Sequence, residues 1–144
     1  MPHREDPAPA FRFRVEIDGV LLAAFQSCVG LATETEVFEF REGGMRQGTH
    51  KMIGYTRHPP IRLWRGITLS EDLFRWREEA ILGTADSRRT GDILLSSDSG
   101  ETIRRWTFLD GWPSRWEGPV LLGERSAIAI EMIEIVHEGL VMGR

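Results

Sequence analysis

The longest run of strand-forming residues lies near the end of the chain, where residues 127–140 read AIAIEMIEIVHEGL. β-Branched residues are dense in this run, and no glycine or proline interrupts it before Gly139, so the pattern predicts one strand. At about 3.3 Å per residue this strand would extend for roughly 35 Å. Its apolar residues fall on both faces, which is typical of a strand covered on both sides.

The two-sided pattern of this strand also bears on assembly. In a small β domain the second cover of such a strand is often another protein chain, so the pattern indicates that the protein assembles. The side chains predicted to form this subunit interface are Ile128, Ile130, Glu131, Ile133, Ile135 and His137.

Shorter patterns upstream predict further strands. Residues 11–17 alternate strictly between apolar residues at odd positions and charged residues at even positions, which is typical of a strand with one buried face. Asp18 and Gly19 follow as a strong hairpin-turn signal, because both residues tolerate positive φ. Farther along, Pro113 predicts a bend or a sheet edge, because proline has no N–H for a central strand.

One helix is predicted, over residues 71–82. Ser70 is a suitable N-cap, and the acidic residues that follow it suit the positive end of the helix dipole. Leu69 and Phe74 have the spacing of a hydrophobic staple. Gly83 is a suitable C-terminal stop. The apolar stripe of the helix, which includes Trp76, indicates core packing.

Residues 41–58 have a different character from the rest of the chain. They contain four glycines and two histidines and show no sustained period, which predicts a long loop or a loose hairpin. Loops of this length are usually functional or disordered. Both a solvated excursion and an ordered contact loop fit the pattern, and apolar residues such as Met45, Met52 and Tyr55 favour the contact loop.

Together these patterns predict a mainly β fold. Seven or eight strands with turns every 8–12 residues and one helix indicate a small antiparallel β-barrel or sandwich with the helix packed on it. A chain of 144 residues is suited to one domain, predicted over residues 11–144. Residues 1–10 contain three prolines and are predicted to form a flexible arm.

Composition limits the classes of function. A net charge of −4 does not provide the clustered positive charge that a nucleic-acid-binding surface needs. No apolar stretch approaches the length of a membrane span, so we expect no direct membrane insertion. The N-terminus has no apolar core, so it is not predicted to be a secretory signal. The single Cys28 excludes an internal disulfide.

Candidate chemistry is weak throughout the sequence. The four histidines have no metal-ligand spacing relative to each other or to Cys28, and Gly43-Gly44 is not followed by the residues of a phosphate-binding loop. His137 could carry a proton, but no nucleophile or second base accompanies it, so we interpret it as part of a strand end. We therefore expect no catalytic residue, no cofactor and no metal.

Six short segments stand out when the chain is taken in order. They are FRVEIDG (13–19), FEFREGG (38–44), LWRGIT (63–68), RTGDI (89–93), WTFLDGWPSRWEGP (106–119) and AIEMIEIVHEGL (129–140). This ordered set, which extends over roughly residues 10–141, resembles the tail tube protein family of contractile-tailed phages. It resembles equally the inner-tube proteins of phage-derived contractile injection systems and their Hcp-like relatives.

This resemblance implies a structural role and no enzymatic one. Members form hexameric rings of the Hcp-like fold, and the rings stack into a hollow tube inside a contractile sheath. Cargo protein or DNA passes through the bore, and the sheath and baseplate of the same particle are the other partners. Assembly in the bacterial cytoplasm, as part of a virion or a phage-tail-like injection particle, is implied as well.

The resemblance also assigns a role to residues 41–58, because the family places a long loop after its third strand at the ring-to-ring contact. The residues assigned to stacking in this way are Arg41, Glu42, Gly43, Gly44, Met45, Met52, Ile53 and Tyr55.

Two features depart from the family pattern, namely the segment MIGYTRHPP (52–60) and Cys28. The sequence therefore leaves open whether the chain is the repeating tube subunit or a specialised initiator ring at the baseplate. A small-ligand-binding β-barrel is the alternative from another class, and it would need a pocket with converging polar groups.

Overall fold

The structure is a computed structural model, and it describes residues 11–18, 25–41, 43–44, 48–123 and 129–143. The predicted arm over residues 1–10 and the turn residue Gly19 lie outside these ranges. Within them the fold is mainly β with a single α-helix, α1 (Asp72–Leu82). The strands are β1 (Arg12–Ile17), β2 (Ser27–Val29), β3 (Glu34–Phe40), β4 (His50–Arg57), β5 (Ile61–Gly66), β6 (Arg89–Ser96), β7 (Thr102–Glu117), β8 (Ile130–Val136) and β9 (Gly139–Gly143).

Seven of these strands form one antiparallel sheet in the order β1-β6-β7-β8-β5-β2, with β9 also paired to β7. Val15 of β1 and Leu63 of β5 lie far apart in this order, yet both belong to the same cluster of buried side chains. The sheet must therefore curl around a single core. The predicted antiparallel β-barrel with one packed helix is confirmed.

The strand predicted over residues 127–140 is interrupted, and residues 124–128 lie outside the described ranges. β8 ends at Val136, and β9 begins at Gly139. Both pair with the long strand β7, which has a positive φ of 50° at Asp110, opposite the break. The Glu138 N–H donates to the carbonyl of Leu109 at 2.9 Å, which stabilises the bend. The prediction of one continuous strand was wrong, because the bend in β7 bends its partner as well.

β7 continues through Pro113 without ending. Among the described strands, only β8 pairs with residues 112–117, and the opposite edge of this part of β7 packs against α1. Arg77 of α1 donates from Nη1 to the carbonyl of Pro113 at 3.0 Å. The backbone of Pro113 thus faces the helix, where no neighbouring strand needs the missing N–H. The predicted sheet edge at this proline is present, although the strand itself is not interrupted.

α1 begins one residue later than predicted and ends at the predicted position. The predicted N-cap Ser70 was wrong, because the later start makes Glu71 the N-cap, and Glu71 makes no side-chain cap hydrogen bond. The backbone N–H of Asp72 donates to Ser70 Oγ at 3.4 Å. Gly83 adopts the left-handed conformation that ends the helix. The predicted hydrophobic staple is absent, because the side chain of Leu69 is fully exposed. Phe74 instead packs edge-on against Trp116, with the ring centroids 4.9 Å apart.

Residues 41–58 include the second strand of a hairpin. β4 pairs with β3 in a separate two-stranded sheet. Gly54 weakens the strand pattern in the sequence, because glycine is unfavourable in strand interiors. The ring of Phe38 lies against the Cα of Gly54, and a Cβ added there would come within 2.6 Å of a ring carbon. Of the two predicted alternatives, a long loop or a loose hairpin, the described residues form the hairpin.

The core contains the completely buried Phe108, whose ring lies against two glycines. A Cβ on Gly91 would approach Phe108 Cζ to 2.3 Å, and a Cβ on Gly111 would approach Cε2 to 2.6 Å. Neither glycine has a positive φ, so the space taken by the ring is what requires a residue without a side chain. The barrel wall thus closes around this ring.

We expect Gly91→Ala to lower the free energy of unfolding by about 1–3 kcal/mol, because overpacking forces the ring or the backbone to move. Urea unfolding followed by tryptophan fluorescence measures this change. Gly43→Ala is the matched control, because no atom lies within 4 Å of its added Cβ and its φ is not in the left-handed region. Equal stability of the two variants would contradict the packing of Phe108 described here.

Candidate assembly surfaces

The hairpin β3–β4 is the most exposed apolar element of the described chain. Every residue of β3 is exposed, and in β4 only Gly54 is half-buried. The pairing register places Phe38 opposite Met52 on one face, and Val37 opposite Ile53 on the other. Both faces therefore present large apolar side chains to solvent, and Ile53 is 89% exposed.

The exposed apolar side chains of the hairpin indicate an interaction site. An isolated two-stranded hairpin is marginally stable in water, and β3 and β4 make extensive contacts only with each other among the described elements. A contiguous exposed apolar surface on a soluble protein usually marks an interaction site. The opposite charges of Glu39 and Lys51 face each other across the strands and favour the observed register. The hairpin thus has a defined shape and an uncovered apolar surface.

Most of the residues predicted for stacking lie on this hairpin. Met52, Ile53 and Tyr55 are exposed on β4, while Gly43 and Gly44 form an exposed turn beyond β3. Arg41 is exposed next to that turn. Glu42 and Met45 lie outside the described residues. The sequence analysis missed Val37, Phe38 and Phe40 as members of the same surface, although their clustering in one short strand was a visible signal.

The strand predicted as a subunit interface has a different environment. Ile133 and Ile135 are completely buried, and Glu131 and His137 are about 5% exposed, all within the subunit's own core. These four side chains are therefore not available to a neighbouring chain, because β5, β7 and the core already cover them. Ile130 is 36% exposed and faces outward. Ile128 lies outside the described residues.

Glu131 belongs to a buried ion cluster that joins the helix to the barrel. Arg65 Nε donates to Glu131 Oε1 at 2.6 Å, and its Nη2 donates to Asp72 Oδ1. Trp116 Nε1 donates to the second carboxylate oxygen of Glu131 at 3.0 Å. Burial opposes the charge on Arg65, but the hydrogen bonds and charges of Asp72 and Glu131 outweigh it and raise the pKa of Arg65. Arg65 therefore stays protonated, and its hydrogen bond to Asp72 fixes the start of α1.

A second apolar surface lies after β7. Val120, Leu121 and Leu122 are all more than half exposed. Trp64, Ile130 and Met132 join two of them along a shallow groove of about 330 Å³. The sequence analysis did not predict this surface. Three successive apolar residues after Gly118-Pro119 were the available signal.

The described residues offer little for catalysis. They contain no group of three or more His, Cys, Asp or Glu side chains that could hold a metal ion. Burial raises the pKa of Cys28 to about 11, so this thiol stays protonated at neutral pH. The core shared by the curled sheet and α1 contains completely buried side chains, including Phe108 of β7 and Trp76 of α1. No helix in the described ranges combines the length and apolar character needed to cross a membrane.

Comparison with known proteins decides the family. The family model described as T4-like virus tail tube protein gp19 matches residues 9–141 of the chain. The chain belongs to this tail tube protein family. No curated protein matches it.

Solved structures agree with this assignment. A chain in the sheath–tube complex of the extracellular contractile injection system PVC, in its extended state, is 26% identical, with a TM-score of 0.82. That match covers 96% of this tail tube protein and 93% of the other chain. A chain in the six-fold symmetrised baseplate of the anti-feeding prophage is 22% identical, with a TM-score of 0.82 and 97% of both chains covered.

An Hcp protein has the same fold. Hcp1 from Flavobacterium johnsoniae is 15% identical to this tail tube protein, with a TM-score of 0.60. The match covers 92% of this chain and 94% of Hcp1. The predicted tail tube family and Hcp-like fold are confirmed. The matched family is one of tail tube proteins.

We expect Glu131→Gln to lower the free energy of unfolding by about 1.5–3 kcal/mol, because it removes a charge-assisted hydrogen bond from buried Arg65. Thermal or urea unfolding of the purified protein measures the loss. Glu138→Gln is the matched control. Glu138 pairs with Arg88 at 3.0 Å on the surface, where such a pair contributes at most about 1 kcal/mol. A loss for Glu138→Gln as large as that for Glu131→Gln would refute the role of the buried cluster.

Proposed function

We propose that this tail tube protein is the repeating subunit of the inner tube of a contractile tail or injection system. Its copies form hexameric rings, and the rings stack into a hollow conduit. The observation that carries this proposal is the hairpin β3–β4, which exposes apolar side chains on both faces. Self-association would bury these apolar side chains.

The position of the hairpin favours a role between rings. It forms a sheet of its own and does not contribute to the barrel, so it can contact a neighbour without disturbing the core. Burying a side chain such as Ile53 contributes about 1.5–3 kcal/mol. Six copies in each ring multiply that contribution, so a modest contact in one subunit becomes a stable stack.

Contacts within a ring are proposed to use the second apolar surface. Val120, Leu122 and Ile130 are exposed next to one another, and Ile130 lies at the start of β8. The ring size of six is the one that the family resemblance implies. The bore of the stacked rings would carry cargo protein or DNA.

The sheath and baseplate proteins of the same particle are the proposed partners outside the tube. A related chain, 26% identical, occurs in a sheath–tube complex. We place this protein in a phage virion or a phage-tail-like injection particle, after assembly in the bacterial cytoplasm.

Ile53→Asp tests the stacking role. We expect this variant to form rings but to need at least a tenfold higher concentration for stacks, because a charge replaces an apolar contact at each copy. Mass photometry gives the ring mass, and negative-stain electron microscopy shows the stacks. Ile81→Asp is the matched control, since Ile81 is 65% exposed on α1, away from the hairpin strands.

Three outcomes of this experiment separate the hypotheses. A clean monomer at high micromolar concentration for the unmodified protein would rule out the proposal. Rings of the unmodified protein that never stack would favour the initiator ring at the baseplate. Stacks of Ile53→Asp that form as readily as those of Ile81→Asp would show that the hairpin is not the ring-to-ring contact.

A further inference from the structure

Two histidines meet where the hairpin joins the barrel. His58 directly follows β4, and His137 directly follows β8. Their ring centroids are 5.4 Å apart, and the rings are tilted by 39°. His137 is 5% exposed, and His58 is half-buried. The two rings thus connect segments that are 79 positions apart in the sequence (137 − 58).

Each ring has a buried nitrogen without a hydrogen-bond partner, His58 Nδ1 and His137 Nε2. His137 Nδ1 lies 3.0 Å from the carbonyl oxygen of Gly139. A carbonyl can only accept, so Nδ1 is the protonated nitrogen and Nε2 of the neutral ring is an acceptor. A buried acceptor without a partner is unfavourable, and a proton is the simplest species that would change it.

The groups around His137 determine how readily it gains that proton. Burial is the largest effect on the pKa of His137 and lowers it. The hydrogen bond to the carbonyl of Gly139 comes next and raises the pKa. The charge of His58 lowers the pKa, and the backbone of Pro59 raises it. The net result is a pKa below the ordinary 6.5.

The other groups near this ring are uncharged or turned away from it. The ring of Phe108 faces His137 from β7, with the centroids 6.2 Å apart. The carboxylate of Glu138 is 62% exposed and bonded to Arg88. Among the described residues, His58 is therefore the titratable side chain whose charge acts on His137.

We propose that His58 and His137 form a proton-sensitive joint that holds the base of hairpin β3–β4 against the barrel at neutral pH and releases it in acid. Residues 58–60 are one of the two connections between the hairpin and the rest of the chain. When both rings are neutral they pack together, and Pro59 stays next to His137. When both carry a proton, two like charges 5.4 Å apart in a partly buried site repel each other.

The direction of the pH effect follows from the lowered pKa. The unfolded or released state binds a proton to His137 more readily than the packed state does. The packed state is therefore fully favoured above pH 6.5 and loses stability as the pH falls below that value. For a stacked tube, acid would loosen the hairpin at each subunit. This consequence for stacking depends on the proposed function, whereas the joint itself is a property of one subunit.

Mass spectrometry of the full chain, diluted until mass photometry shows only single subunits, tests the joint apart from assembly. Exchange of the histidine ring C2 hydrogen gives the pKa of each histidine, and amide exchange gives the protection of residues 50–57. We expect His137 to titrate below 6.5. We also expect amide exchange in β4, corrected for its intrinsic pH dependence, to rise at least threefold between pH 7.5 and 5.0.

His58→Gln should raise the pKa of His137 and remove most of the acid-induced exchange, because the lone imidazolium is then stabilised by the carbonyl of Gly139 without repulsion. His58→Phe keeps a ring in place, so it separates loss of charge from loss of packing. His50→Gln is the matched control, since His50 is an exposed histidine at the start of β4 and lies outside the joint. It should leave both quantities unchanged.

The proposal is overturned if corrected exchange in β4 is the same at both pH values. It is also overturned if the acid-induced rise persists in both His58→Gln and His58→Phe, or if His137 titrates at the same pH in the original chain and in His58→Phe. Because these readouts come from a single subunit, their failure would leave the tube assignment intact. A failure to form rings or stacks would likewise leave the joint untouched.

Discussion

No described element of the subunit covers the two-stranded sheet β3–β4, which has apolar side chains on both faces, and this constraint governs the rest of the molecule. Any element packed on one face of β3–β4 would leave the other face in water. Strands at a sheet edge normally carry charges that prevent association, but here Phe38 and Ile53 occupy the exposed positions. The hairpin is therefore suited to a position between copies of the chain, where both faces can be buried.

The barrel, in contrast, buries its apolar core side chains within one subunit. Strand β7 pairs with β6, β8 and β9 along its 16 residues, so one strand organises most of the sheet. Phe108 fills the space above Gly91 and Gly111, and the Arg65 cluster fixes the start of the helix. A self-sufficient barrel can carry an exposed hairpin because the hairpin does not take part in the folding core.

The barrel and the hairpin contact each other through only a few residues, so these contacts affect how the hairpin is oriented. His58 and His137 lie at one such junction, between the rigid barrel and the projecting hairpin. A contact of this kind affects the orientation of the hairpin without altering the barrel. In a tube of stacked rings, small changes in hairpin orientation would be repeated at each subunit, so control at the junction would act on the whole assembly.

The sequence by itself determined the class of fold, the helix and the family. Alternation in residues 11–17 and the stop at Gly83 are local signals, and local physical chemistry enforces them. The ordered family segments, such as RTGDI at 89–93, were equally visible because each reflects a fixed packing requirement.

Only the tertiary structure decided which apolar strand is bare and which is covered. β8 and β3 are both rich in apolar residues, and periodicity cannot show what lies against each face. In the fold, β5 and β7 flank β8 and the core covers its inner face, whereas β3 meets only β4. The break at His137 and the contact with His58 also depend on pairing between distant segments. Burial is a property of neighbours in space, so a linear pattern could identify the apolar residues but not their partners.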